Sequence, residues 1–467
     1  MNRRRVLKVG GSVLGLAGLG AGYAGYRLLP PSPNAEIRDP FTLAAEFLET
    51  LDISQRERVL LDYDHPLRQY HNRGVWAHGE QATMTIASEG LSWKQRSLLV
   101  DLMYSGLSPV GRKMIPNQFF LRVANVMANN LHICGEPRSD HCQIFFTGPH
   151  LNLRIGGANR EGVAFGGPQV YGDQTGNEVP EIPGNQYRPQ YLVAKALYQL
   201  FSPEQKKAAR LPNSPIQTQI EVQGRNGNFD GIPVAEMTRD QQSRVNELID
   251  LAFAPYPEAD VAYAWECINA NGGVSSLYAS YYEDSRYDDS DGEGGYQNFR
   301  LEGPAAVFYI QGIPHVHGFL NVAMDGESPL SVGKVLGHNP SMIEGEELTR
   351  VFEKIMMAST GADVALYEGA VGQLRPGMIR TGDVYNAESW QNDVLTLEIK
   401  GHSMSDELIQ RLSLRGESVN AEKVYRVAAT NFNVDERPET LGDFGIVGEN
   451  GMLRGMVLDY FDQNGFS

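Results

Sequence analysis

The chain has 467 residues, 42% of them hydrophobic and 21% charged, and carries a formal net charge of −17. That length exceeds one ordinary core, so two domains are expected behind any leader. The acid excess excludes a nucleic-acid partner, which needs a basic surface, and disfavours docking of the folded body on anionic lipid.

The first residues read as an address. Asn2-Arg3-Arg4-Arg5-Val6-Leu7-Lys8 resembles the twin-arginine export signal, and a Gly-rich, weakly hydrophobic run from Val9 to Tyr26 follows, then Pro30-Pro31. Residues 1–33 are expected to be that signal, cleaved or kept as an uncleaved anchor. The export machinery is then a partner and the location periplasmic or otherwise extracytoplasmic, with membrane contact only through an uncleaved leader.

From Asp39 to about Ser108 the pattern is helical. Asp39-Pro40 supplies a cap and a first-turn proline. Capping boxes are expected at Ser54–Glu57, Ser92–Gln95, Ser202–Gln205 and Thr238–Gln241, giving four helix starts and only a faint hint of an internal repeat. Cys134 and Cys142 flank a turn-like segment; they either close a hairpin by a disulfide or stay free, and Cys267 is expected as a core thiol. A zinc cluster of these two with His132 and His141 lacks the usual spacing.

The chain is organised around Ile144 to Tyr171. Strict alternation from His150 to Ile155 predicts a strand with His150, Asn152 and Arg154 on one face. Further on, His315 and His317 in Pro314–Asn321 would share a strand face. If the two strands face each other, three imidazoles converge on one cavity. Other strand-like runs are 143–146, 216–222, 298–301 and 306–310. Helices and strands come in groups without a βαβ rhythm, which favours α+β. In the acidic loop 281–296, Asp289, Asp291 and Glu293 lack EF-hand spacing, and a solvated loop is expected.

After about residue 324 the pattern shifts to a helix from Gly345, a strand from Asp393 to Gly401, a helix SDELIQRLSL and a strand KVYRVAATN. The expected architecture is α+β in two domains. One, at 39–325, is built of helices and an antiparallel sheet; the other, at 332–467, is a smaller mixed β-α-β domain.

GQLRPGMIRTGDVYNA, VLTLEIKGHSMSDEL and YRVAATNFN together resemble the C-terminal substrate-binding domain of the exported 5'-nucleotidases, sharpest at Gly382-Asp383-Val384-Tyr385. The resemblance implies nucleotide binding through Arg375, with Arg380 as an accessory cation and Phe444 stacking on a base. The usual asparagine-glycine-glycine before the arginine is absent, as are both metallophosphoesterase motifs. The first domain resembles the exported bacterial family DUF3500 in AAEFLETLDISQRERVLLDYDHPLRQYHN, TGPHLNLRI, YQNFRLEGPAAVFYI and HVHG. That resemblance carries no activity; its recurrent histidines match His71, His150, His315 and His317.

Those four histidines are the candidate ligands of a divalent transition metal (zinc, copper or iron), with hydrogen-bonded structural histidines as the alternative. Zinc-bound water would ionise near neutral pH. Arg154 and Arg300 are candidates to bind a carboxylate or phosphate in the active site, against simple pairing with acidic neighbours. Glu302 is the candidate general base. No serine-hydrolase elbow, phosphate-cradling loop or dinucleotide fingerprint is present. The expected function is an exported metal-dependent hydrolase of a phosphorylated or nucleoside-like small molecule. The alternatives are a non-enzymatic envelope binding protein and a copper or iron oxidative enzyme.

Overall fold

The computed structural model describes residues 31–467 except 33, 69–83, 86–87, 89, 116–128, 149–150, 157–164, 174–184, 216–219, 288–294, 313–315, 325–331, 369–371, 389, 391 and 467; for 165–173 it describes the backbone. Residues 1–30 of the segment expected to be an export leader, and the acidic run Asp289–Glu293, lie outside the described residues. The chain is a mixture of helices and several sheets, and divides into two compact units, one taking residues 331–467 and the other most of the chain before them. No helix among the described residues is long and apolar enough to cross a membrane.

Local signals start the helices of the first unit. Asp39 caps Pro40–Glu49 by accepting from the Thr42 N–H. Reciprocal capping boxes join Ser92 to Gln95, Ser202 to Gln205 and Thr238 to Gln241, as the sequence predicts. The helix Ile53–Val59 departs from expectation, because Asp52 rather than Ser54 caps it, with Gln55 returning the bond. A carboxylate two residues earlier takes the third backbone N–H before the serine can, leaving Ser54 inside the first turn.

Twelve strands of this unit form one sheet. They are β1 Leu60–Leu61, β2 Met84–Thr85, β3 Asn130–Cys134, β4 Gln143–Thr147, β5 Leu151–Gly156, β6 Phe165–Asp173, β7 Arg210–Leu211, β8 Ile232–Pro233, β9 Tyr278–Tyr282, β12 Phe299–Gly303, β13 Ala306–Gln311 and β14 Val316–Val322, while β10 Arg286–Tyr287 and β11 Gly295–Tyr296 form a separate hairpin. Pairing is antiparallel except where β1 meets β3 and β7 meets β9. The described part of the expected strand 216–222, residues 220–222, is not in a strand.

The order of the sheet, β1-β3-β4-β5-β6-β14-β13-β12-β9-β7, reads as a palindrome about the β6–β14 seam. Among the described residues the first half runs helix, short helix, β1, β2, helix Trp93–Ser105, helix Pro109–Met114, β3 to β6; the second runs helix, short helix, β7, β8, helix Arg239–Phe253, helix Glu258–Ala270, β9, β12, β13, β14. Register matches as well. Leu60 pairs with Ile133 and Met84 with Leu131, while Arg210 pairs with Tyr281 and Ile232 with Ala279. Even the capping-box glutamines do the same second job. Gln95 Nε2 donates to the Thr50 carbonyl at 2.9 Å, and Gln241 Nε2 donates to the Leu200 carbonyl at 2.8 Å, each tying its helix to the end of an earlier one. The first unit is therefore a tandem repeat.

The hairpin turns of both halves need glycine. A Cβ on Gly148 would lie 2.2 Å from Asn129 Oδ1, and one on Gly303 would lie 2.8 Å from the Ser276 carbonyl. One sheet face is apolar and carries the helices, burying Ile133, Ile144, Leu153, Leu301, Phe308 and Leu320 among others. At about 25 cal/mol per Å2 of buried apolar surface, this core is the main stabiliser of the unit.

The register also corrects the disulfide option. Cys134 pairs with Gln143, one residue out of step with Cys142. Cys142 joins the apolar core while Cys134 belongs to the other face, and both thiols are free and buried. Side chains on opposite faces of a sheet cannot bridge.

In the second unit, β15 Val335–Asn339 pairs with β19 Gly377–Arg380, and β16 Ile343–Glu344 with β18 Gln373–Leu374. A four-stranded sheet runs β17 Val364–Leu366, β21 Val424–Thr430, β20 Asp393–Met404, β22 Gly442–Met452. Only β17–β21 is parallel. Helices Gly345–Thr360 and Leu453–Asn464 cover one face through Ala365, Val394 and Ala428. Helix Asp406–Leu414 covers the other through Leu366, Leu397 and Val427.

Candidate functional site

Directly opposed residues in a sheet point to the same side. Following register from strand to strand, Asn152 lies opposite Val170, Val170 opposite Phe319, Phe319 opposite Tyr309, and Tyr309 opposite Arg300. Arg154 and Glu302 are two residues from Asn152 and Arg300 on their strands, and His317 is two from Phe319. Every described first-unit candidate therefore lies on one face of one sheet, the face opposite the helical core. They do not meet at a point. Four strand spacings separate Arg154 from Arg300, roughly 19 Å, and two separate Arg154 from His317, roughly 10 Å before any offset along the strands. The strand carrying Arg154 does not confront the strand carrying His317 across a cavity; β6 lies between them in the same sheet.

Around Arg154 the face is polar and buried. Arg154 and Arg68 are each 3% exposed. Arg154 Nη2 donates to the Arg68 backbone carbonyl at 2.6 Å. The Arg154 guanidinium stands 5.0 Å from the centre of the Phe145 ring, on which His132 also stacks at 4.7 Å. Arg154 Nε and Nη1 have no hydrogen-bond partner, and no carboxylate pairs with this guanidinium among the described residues. Nearby on β4, Gln143 Oε1 and Thr147 Oγ1 are buried and unpartnered. Burial, reinforced by the Arg68 charge, pushes the Arg154 guanidinium down to about 9. Arg68 stacks 3.9 Å over the Tyr63 ring and meets Asp64, whose side chain is 81% exposed, at 3.5 Å.

The second cluster is electrically closed. Arg300 Nε lies 3.1 Å from Glu302 Oε2, and Gln223 Nε2 donates to Glu302 Oε1 at 2.7 Å. Tyr282, Val307, Tyr309 and Phe319 form an apolar patch on the same face. Glu302 is thus held as the counter-ion of Arg300, not poised as an unengaged base.

Of the four candidate metal ligands, His71, His150 and His315 lie outside the described residues. His317 is half-buried on β14 between Gly172 and Gln311, its ring 6.3 Å from that of Phe319. Among the described residues no three His, Cys, Asp or Glu side chains gather in a way that could hold a metal. His132 and Cys134 lie on one face and Cys142 on the other, which separates the conceivable Cys2His2 set.

In the second unit, Arg380 is structural in its contacts. Its N–H donates to Asp383 at the start of helix Thr381–Ala387, and its Nη1 donates to the Gly333 carbonyl at 2.9 Å. Arg375 follows Leu374, which is seated in the core under helix Gly345–Thr360. Phe444 packs against the core on the other side of the sheet. Phe444 sits in β22, opposite Ile399.

Sequence reasoning missed Arg68, Gln143, Thr147 and Gln223. The first lies in a 310 turn after His65-Pro66 and the last in irregular chain, so no periodicity marks either. Thr147 and Gln143 alternate with Phe145 on β4, a strand marked in the sequence by its apolar residues.

No curated protein matches the chain. Two solved structures are similar in part. The 5'-nucleotidase precursor from Thermus thermophilus shares 12% identity, covering 38% of this chain and 51% of its own, with a TM-score of 0.26. A putative 5'-nucleotidase from Staphylococcus aureus, in complex with alpha-ketoglutarate, shares 10% identity over 36% of this chain and 48% of its own, with a TM-score of 0.22. The chain spans about half the length of each, and likeness at that level carries no statement about activity. The model of the family described as "Protein of unknown function (DUF3500)" matches residues 34–310, more than half of the sequence, and the chain belongs to that family.

Proposed function

We propose that this chain is an exported, metal-dependent protein acting as a hydrolase on a phosphorylated or nucleoside-like small molecule, bound on the polar face of the first sheet. The supporting observation is that Arg154, His317, Arg300 and Glu302, dispersed over about a third of the sequence, register onto that one face. Buried guanidinium groups recognise anionic oxygens. The His-x-His sequence leading into β14, two strands from each arginine, suits a transition metal held by His315 and His317, with His71 and His150 as further ligands. When bound, the metal would supply Lewis-acid or water-activating chemistry. Arg375 in the second unit is proposed to assist in holding the substrate.

Metal analysis of protein purified without tag or added metal tests this reading, together with turnover on a panel of nucleoside phosphates. About one zinc, copper or iron per chain is expected, lost with turnover in the His315→Ala/His317→Ala variant. Unchanged turnover in that variant would sink the hydrolase. The engagement of Glu302 by Arg300 and Gln223 favours a second reading, a non-enzymatic envelope binding protein, in which the variant loses metal from a protein that has no turnover.

A further inference from the structure

The palindromic sheet allows one half to be read against the other. Register makes Phe145 the counterpart of Arg300, Thr147 that of Glu302, and Arg154 that of Tyr309. Each half thus opposes one arginine to one aromatic ring across neighbouring strands, with the two partners exchanged. In the second half the arginine has its carboxylate, Glu302, itself held by Gln223. In the first half the position of that carboxylate is Thr147, whose hydroxyl is unpartnered, and Arg154 keeps two buried donors without an acceptor. Its Nη2 donates to the backbone carbonyl of Arg68, itself a second buried cation.

From this asymmetry we infer that the first half holds a small-molecule oxyanion, a carboxylate or phosphate, on Arg154 beside Thr147 and Arg68, in the place that Glu302 fills in the second half. A buried guanidinium is costly until an anion meets it, and the same burial strengthens the contact once formed. The ligand places no new demand on the fold, because the Phe145 ring, on which His132 stacks, already shelves the guanidinium. The inference shares a sheet face with the proposed function but needs neither metal nor turnover.

The test uses the full chain in low-chloride buffer. Calorimetric titration and thermal melting are run with inorganic phosphate and, separately, with succinate; whichever binds identifies the source of the anionic group. Arg154→Met is expected to weaken binding about tenfold or more, yet to melt no lower than the parent without ligand, since it removes an uncompensated buried charge. Thr147→Glu installs the carboxylate of the other half, and is expected to raise the melting temperature and abolish anion binding while leaving metal content at the parental value. Binding of neither anion by the parent overturns the site, as does undiminished binding in Arg154→Met or Thr147→Glu. A loss of metal or turnover in the histidine variant leaves these outcomes untouched, so the two readings fail separately.

Discussion

Glu302→Ala isolates the closed cluster. The carboxylate side chain is 3% exposed and that of its partner Arg300 is 11%, so deletion leaves a guanidinium in a nearly dry patch and takes from Gln223 one of its two acceptors. Removing one member of a buried pair costs about 3–5 kcal/mol, most of it from the stranded charge. For a unit of this size that corresponds to a fall in melting temperature on the order of 10 °C. The double variant Arg300→Met/Glu302→Leu should recover most of it, because Tyr282, Val307, Tyr309 and Phe319 offer the new side chains an apolar setting. Urea denaturation of parent, single and double variants gives both differences. A single variant costing under about 1 kcal/mol, or a double as costly as the single, would refute the assignment of this pair as mutual counter-ions.

Thiol chemistry checks the sheet register. Burial pushes both Cys134 and Cys142 up to about 12. A thiol reagent should therefore find no fast-reacting cysteine in the native protein and all three after denaturation without reductant; one thiol instead of three would restore the disulfide. In the second unit, burial raises the Glu353 carboxyl above its ordinary 4.5, against the pull of Arg411. The folded state then holds that proton more tightly than the unfolded chain. The contribution of Glu353 to stability is complete below pH 4.5 and declines as pH rises through the folded value. Glu353→Gln keeps an acceptor for the Tyr367 N–H, so parental stability should fall relative to this variant as pH rises above 4.5; a flat or rising difference contradicts the assigned direction.

Much of the local structure is legible in the sequence, since caps and strand alternation act over a few residues. Ser92, Ser202 and Thr238 mark their helices, and Leu151–Ile155 declares its strand. Asp52 shows the limit of such rules: two overlapping boxes compete, and the stronger acceptor in the earlier position wins. The strand Tyr278–Tyr282 escaped because it is buried on both faces and shows no alternation. The repeat left only its capping boxes in view. At the positions that matter the halves carry chemically opposite residues, Phe145 against Arg300 and Thr147 against Glu302, and only hydrogen-bond register shows that they correspond. Phe444 and Arg375 share a family pattern in the linear chain, which says nothing of the strand that carries Phe444 opposite Ile399.

The seam between β6 and β14 also says something about assembly. A half of this unit standing alone would end in an open row of N–H and C=O groups, the condition that draws strand edges into association. Two separate copies joined there would be a symmetric dimer, obliged to present the same residue at both corresponding positions. Fused in one chain, each half meets its partner at an effective concentration on the order of millimolar, whatever the protein level. Fusion also lifts the obligation of identity. One half can reserve Arg154 for a guest while the other gives the matching position, Tyr309, to the wall.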